Sequence, residues 1–277
     1  MKTVAMEKVR VGDIDIAYRW DGRPKEDTSR PLLMMAHALG TDHRIWDKQV
    51  PALAKQYRIL RYDWRGHGST DAPPGPYTLA QFEADAIGLM DALQLERVHW
   101  VGLSTGGMIG QGLGIHHAER IESLSLCNTM SMASATYREF ADFREGIVAR
   151  EGLRPIWPLT HKMWFSDAYV EAGGPDYQWV RDMFLATPAS GYVGGMHAVM
   201  NLAYGPELPR IKAPTLVLAA SDDPVSSPEH TQAMAEAIPA ARYVVLEGLR
   251  HYSNVEAADQ FNSALNSFLS QRSPGCT

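Results

Sequence analysis

Residues 97–117, RVHWVGLSTGGMIGQGLGIHH, pass from an apolar strand pattern through a cluster of glycines into a helical pattern. Within them Gly102-Leu103-Ser104-Thr105-Gly106 matches G-x-S-x-G, with Arg97 to Val101 as the preceding strand and Met108 to His117 as the following helix. A serine on so sharp a strand-to-helix turn sits in strained backbone, and the residues two before and two after it must be small for the turn to clear its neighbours. Gly102 and Gly106 meet that need. Ser104 then faces outward at the sheet edge, beside the positive end and free amides of the helix. For the string alone, a packing turn with a capping serine is the plainer alternative. No Gly-Lys-Ser/Thr follows as in a phosphate loop, and G-x-G-x-x-G does not fit as in a dinucleotide site.

Outward from this turn the chain keeps alternating. Val9 to Val11 and Ile14 to Tyr18, parted by Gly12 and Asp13, predict a hairpin at the start of a sheet. Leu32 to Ala36 is a buried strand ending in the tight loop His37-Ala38-Leu39-Gly40. Trp46 to Leu53 predicts a short helix and Arg58 to Tyr62 a strand. Thr78 to Leu93 predicts a longer amphipathic helix with capping-box spacing at Thr78 and Gln81. Ile121 to Cys127 is a further strand. This order predicts βαβ units and therefore an α/β fold, a mainly parallel central sheet flanked by helices on both faces.

The alternation stops at about Thr129. From there to Arg210 the sequence runs in helical patterns rich in Met, Trp, Tyr and Ala, with breaks at Gly152, Pro155, Pro158, Gly173 and Pro175. It resumes with a strand at Thr215 to Ala220, a helix at Pro228 to Ile238, a strand at Arg242 to Leu246 and a closing helix at Ala257 to Leu269. Neither half holds a complete sheet alone. The expected organisation is one core in two parts, 1–128 and 211–270, interrupted by a helical lid at 129–210 and followed by a tail at 271–277.

Composition narrows the function classes. The chain has 277 residues, 45% hydrophobic and 21% charged, the balance of a soluble globular protein rather than a disordered or fibrous one. Lys and Arg total 26 against 32 Asp and Glu, a formal charge of -6 with no basic block, so nothing marks a nucleic acid or an anionic membrane as a partner. Cys127 and Cys276 stand far apart with no CxxC pair, which argues against a disulfide scaffold or a metal site. MKTVAMEKVRVGD lacks a signal-peptide core, and no run reaches the roughly 20 apolar residues that span a bilayer, so a cytoplasmic location is expected. Monomer and homodimer are equally compatible.

A serine hydroxyl becomes a useful nucleophile when a positioned imidazole takes its proton and a carboxylate orients that imidazole. On this kind of fold the partners follow in the order Ser, Asp/Glu, His. Of ten histidines, His251 lies in a loop between the last strand and the last helix, whereas His116 and His117 close the helix after the serine turn, where capping is the simpler duty. For the acid, Asp223 before Pro224 is preferred. Asp222 is then a solvated turn residue, and Asp63 a structural carboxylate pairing with Arg65 or with amides. The oxyanion formed on attack needs backbone donors, read as the amides of Leu39 and Thr105. His37 precedes that loop and is equally a buried strut or a second base.

The chain resembles the α/β-hydrolase superfamily over nearly its whole length, and within it the 3-oxoadipate enol-lactonase branch. The resemblance is carried by LGTDHRIWDKQVPALAKQYRILRYDWRGHGSTDAPPGPYTL at 39–79, VGLSTGGMIGQGLGIHHAERIESLSLCNT at 101–129, MFLATPASGY at 183–192, IKAPTLVLAASDDPVSSPEH at 211–230 and RHYSNVEAADQF at 250–261. By position it places the nucleophile at Ser104, the acid at Asp223, the base at His251 and the oxyanion amides at Leu39 and Thr105. It implies hydrolysis of a lactone or ester through an acyl-enzyme, without a cofactor; the alternatives are a broad carboxylesterase, a carbon–carbon bond hydrolase or a perhydrolase on the same triad, and a non-catalytic binding protein on a hydrolase scaffold. Two positions depart from the family pattern: Thr105 stands where relatives carry Met or Leu, and Met132 where they often carry a basic residue. An enol-lactone bears a free carboxylate, so a cation must come from Arg138, Arg144, His161, Lys162 or His197 in the lid. Met130, Tyr137, Trp164 and Met196 are candidate pocket residues, and Met132, Phe140, Trp157, Met163 and Phe165 add apolar lid surface.

Overall fold

The computed structural model describes residues 6–271. Strands β1 (Glu7–Val11) and β2 (Ile14–Gly22) form an antiparallel hairpin turned at Gly12, whose φ of +54° suits a residue without a side chain. Then come β3 (Leu32–Ala36), the short helix α1 (Val50–Leu53), β4 (Arg58–Tyr62) and helix α2 (Leu79–Ala92). Next are β5 (Val98–Leu103), α3 (Thr105–His116) and β6 (Ile121–Cys127). Helices α4 (Ala135–Glu151), α5 (Trp157–Trp164), α6 (Asp167–Ala172), α7 (Pro175–Ala186) and α8 (Ala189–Met200) separate β6 from β7 (Thr215–Ala220). The chain closes with α9 (Pro228–Ala237), β8 (Arg242–Leu246), α10 (Ser253–Glu256) and α11 (Ala258–Leu269).

The eight strands make one sheet in the order β1-β2-β4-β3-β5-β6-β7-β8, parallel from β4 to β8. Its central strands are wholly buried, which is why they read as apolar runs rather than as alternating ones. Successive side chains still face opposite sides. Leu33 and Met35 join a core that includes Phe261 and Phe268 of α11, while Met34 and Ala36 join one that includes Phe82 of α2 and Leu113 of α3. At about 25 cal/mol per Å² of apolar surface, each of these large side chains contributes roughly 2 kcal/mol on burial.

Several boundaries differ from the sequence expectation. The 46–53 segment is a 3-10 turn at His43–Trp46 followed by α1, because Pro51 can begin a helix but not continue one. The expected closing helix is α11, and a further short helix, α10, precedes it where a loop was expected. Helix α2 opens with the reciprocal Thr78/Gln81 capping box. Among the described residues no helix is long and apolar enough to cross a membrane. Cys276 and most of the expected tail lie outside the described residues.

Asp63, at the end of β4, ties the loops on this side of the sheet together. One carboxylate oxygen accepts from the His43 amide and from His43 Nδ1, both at 2.8 Å, and the other accepts from the Ser69 amide at 2.8 Å. Arg65 pairs elsewhere, with Asp85 and Asp13, so of the two partners expected for Asp63 the amides are the real ones. Burial opposes the charge on Asp63, but the His43 hydrogen bond, the neighbouring His43 and His37 imidazoles and the Ser69 amide outweigh it and hold the carboxyl below its usual range. A group depressed in this way stabilises the fold above its unfolded pKa and loses that contribution as the pH falls through the folded value. Asp63→Asn should therefore cost about 2–4 kcal/mol at neutral pH, read from urea unfolding midpoints, with the gap to wild type narrowing below about pH 4.

Candidate active site

The serine turn is as tight as its glycines imply. Ser104 adopts φ +52° and ψ −113°, a conformation costly for a residue with a side chain. A Cβ on Gly102 would stand 2.1 Å from the Gly106 carbonyl oxygen, and one on Gly106 would stand 2.1 Å from the Ala36 carbonyl oxygen. Helix α3 begins at Thr105, directly after the serine and earlier than its residue pattern suggests. Gly106 and Gly107 are poor helix formers, and the close approach to β3 and to Thr129 requires them there nonetheless.

Parallel strands of matched register bring the other loops to the same edge. Ala36 of β3 pairs with Gly102 of β5, so the loop carrying Leu39 lies beside the serine turn. Asp223 follows β7 and His251 follows β8, also at the carboxyl ends of their strands. Ser104 Oγ lies 2.9 Å from His251 Nε2, and His251 Nδ1 lies 2.8 Å from Asp223 Oδ2. All three residues are buried. With Nδ1 donating to the carboxylate, Nε2 is left to accept the serine proton.

The carboxylate is held from several sides. Asp223 Oδ1 accepts from the Val225 and Ser226 amides at 2.8 and 3.1 Å, and Oδ2 accepts from Ser226 Oγ at 2.6 Å and from Asn128 Nδ2 at 3.3 Å. Burial disfavours its charge, but the His251 imidazole and the hydrogen bonds from His251 and Ser226 prevail and keep the carboxyl below its usual range. Asn128 is fixed in turn by Ser253 Oγ at 2.8 Å. The sequence reading passed over these supports. The Asp-Pro-Val-Ser run is a local signal for an aspartate binding amides two and three residues on, whereas Asn128 reaches the site only through the strand order β6-β7. Asp222 is exposed, and among the described residues its carboxylate accepts only from Ser221 Oγ.

A cavity of about 380 Å³ opens over Ser104 and His251. Leu39 and Thr105 line its floor; Met130, Tyr137, Trp164 and Met196 are also in its walls, as are Met132, Phe140 and Met163. Trp157 and Phe165 are not: they are spent on an aromatic cluster behind it with Tyr177. As the first residue of α3, Thr105 has no carbonyl within the helix for its amide, and among the described residues Leu39 N makes no backbone hydrogen bond, so both amides are left for a ligand atom.

Of the five candidate cations only Arg144 lines this cavity. It is 5% exposed and reaches from α4 to Thr160 Oγ1 at 2.5 Å and to the Tyr192 hydroxyl at 2.8 Å, both neutral acceptors. Its Nε is buried without a partner, and among the described residues no carboxylate pairs with it. Arg138 is spent on the Met200 carbonyl, His161 contacts the Tyr177 hydroxyl and His197 pairs with Glu145. His37 is a strut, accepting from the Trp64 amide at Nε2 while Nδ1 contacts the Ala38 carbonyl. His116 pairs with Glu83 at 2.7 Å instead of capping, which leaves the C-cap of α3 to His117. Asp42, His43 and Asp63 come close enough together to suggest a metal, yet the Asp63 oxygens are taken by His43 and Ser69 and those of Asp42 by Arg44. That chemistry describes a structural knot.

An α/β sheet that carries a serine on a strained turn, hydrogen-bonded to a histidine that is itself hydrogen-bonded to an aspartate, both from later strand ends, defines the hydrolase class of these folds. The alpha/beta hydrolase fold pattern matches residues 31–258, and the chain belongs to that family. It is 32% identical to 3-oxoadipate enol-lactonase 2 of Acinetobacter baylyi over 93% of this chain and 94% of that one. It is 33% identical to 3-oxoadipate enol-lactonase 1 of the same organism over 86% and 88%. The crystal structure of the enol-lactonase from Burkholderia xenovorans LB400 superposes with a TM-score of 0.91 at 37% identity, covering 95% of this chain and all of that one.

Proposed function

We propose that the protein is a serine hydrolase that opens a small carboxylate-bearing lactone, an enol-lactone of the 3-oxoadipate type, through an acyl-enzyme. The observation that carries the substrate class is Arg144, a buried cation that no carboxylate pairs with among the described residues, in the wall of a mainly apolar cavity. Leaving a charge so placed costs several kcal/mol, and a ligand carboxylate would offset that cost with a charge-assisted hydrogen bond. The relatives named above are enol-lactonases, which supports the same reading.

Ser104 Oγ attacks the lactone carbonyl as His251 Nε2 takes its proton, and the carbonyl electron pair moves onto oxygen between the Leu39 and Thr105 amides. Asp223 holds the imidazole and stabilises its cation. Collapse of the tetrahedral adduct re-forms the carbonyl and breaks the ring carbon–oxygen bond, and His251 gives its proton to the leaving enol oxygen. That oxygen stays tethered to the acyl group. Water, deprotonated by the same histidine, then attacks the acyl-enzyme, and the adduct expels Ser104 Oγ, which takes the proton back from His251 as a single ring-opened acid is released. Helices α4 to α8 act as the lid, supplying Arg144 and the methionine-rich wall above the serine.

The experiment compares kcat/KM for 3-oxoadipate enol-lactone, the neutral lactone dihydrocoumarin and a short p-nitrophenyl ester. Preference for the carboxylated lactone is expected. Arg144→Gln should lower kcat/KM for it by about 100-fold, chiefly through KM, and change the neutral lactone by less than about threefold. Equal losses on both substrates would remove Arg144 from substrate recognition, and a wild-type preference for the neutral lactone would overturn the carboxylate reading.

A further inference from the structure

Thr105 carries more than its amide. It is 1% exposed and lines the cavity, and among the described residues its hydroxyl makes no hydrogen bond and is not sealed within protein, so its small exposure falls at Oγ1 and faces the cavity. Two other cavity hydroxyls are committed elsewhere: Ser104 to His251, and Thr160 to the Ile156 carbonyl and to Arg144. In a wall that includes Met108, Met130 and Met196, the Thr105 hydroxyl is placed to meet an acceptor on a ligand.

Covalent geometry says where that acceptor lies. In either gauche rotamer, threonine Oγ1 stands about 3 Å from its own amide nitrogen, whereas the trans rotamer turns it away. With Thr105 gauche, an atom hydrogen-bonded to its amide is within reach of its hydroxyl, which can turn its proton toward it. Leu or Met at this position could not do this.

Resting on the serine hydrolase reading above, we propose that Thr105 Oγ1 is a third donor to the oxyanion, joining the Leu39 and Thr105 amides as negative charge develops on the carbonyl oxygen. The hydroxyl keeps its proton throughout; only its hydrogen bond strengthens, from the weak acceptor of the ground-state carbonyl to the full oxyanion. Its contribution falls on the chemical step and not on substrate affinity.

The test is Thr105→Val, which keeps the shape and removes the hydroxyl, beside Thr105→Ser, which keeps the hydroxyl, and Ser104→Ala. On the best substrate Thr105→Val should lower kcat about 10- to 100-fold with KM within about threefold, and Thr105→Ser should recover most of that loss. Affinity for an alkyl boronic acid, whose serine adduct places a negative oxygen at the same point, should fall by a similar factor in Thr105→Val. If that variant does not fold, Thr105→Ala is read by the same two measurements. Thr105→Val with kcat within twofold of wild type, or with lowered kcat but undiminished boronate affinity, would overturn the third donor. Turnover surviving in Ser104→Ala would instead overturn the hydrolase reading beneath it.

Discussion

Ser104→Ala is expected to remove turnover of the preferred lactone, with kcat falling on the order of 10⁶-fold, to the level that binding and the oxyanion amides provide alone. In the proposed mechanism the hydroxyl is the atom that forms the acyl bond, and within the described cavity no second serine or cysteine is hydrogen-bonded to an imidazole to replace it. The variant keeps its Cβ, so the strained φ of +52° and the approach of Gly102 to Gly106 are untouched. Its urea midpoint should stay within about 1 kcal/mol of wild type. A fluorophosphonate should add one covalent label to wild type and none to the variant. Labelling of Ser104→Ala at another residue, with turnover retained, would remove Ser104 from the mechanism.

Asp223→Asn should lower kcat about 10⁴-fold while Asp222→Asn changes it by less than about threefold. The difference is one of partners. Asp223 receives His251 Nδ1, two amides, a serine hydroxyl and an asparagine amide, all of them donors. An Asn side chain must turn its own NH2 toward one side of that ring. Facing His251, it favours the tautomer with the proton on Nε2, which cannot accept from Ser104, and this change costs about 10⁴ in other triads. Asp222 is exposed and touches none of these groups. The reverse ranking in measured kcat would make Asp222 the acid.

The site's legibility in the sequence followed the range of the forces involved. Ser104 could be read because the constraint on it is local and steric: Gly102 and Gly106 have no room for a Cβ, and that demand is written within five residues. His251 and Asp223 could be chosen from strand order, since each parallel strand delivers its following loop to the same edge. The start of α3 was misplaced for the opposite reason. Its first glycines have low helix propensity, and the contacts that require them come from β3 and Thr129.

The lid held the largest gap. Five cations were equal candidates in a helical region whose periodicity marks which faces are apolar but not how five helices cross. Trp157 and Phe165 read as apolar lid surface and pack against Tyr177, whereas Arg144, outwardly an ordinary charged residue of α4, turns inward to Thr160 and Tyr192.

The sequence by itself determined the α/β class, the strained serine turn and the order of its partners, because backbone sterics and strand alternation act over a few residues. Only the tertiary structure decided that Asn128 and Ser226 brace the aspartate, that His37 is a strut, and that Arg144 is the unpaired cation of the cavity. Those outcomes depend on which distant side chains share a low-dielectric space, where an unpaired charge or hydroxyl costs enough to matter.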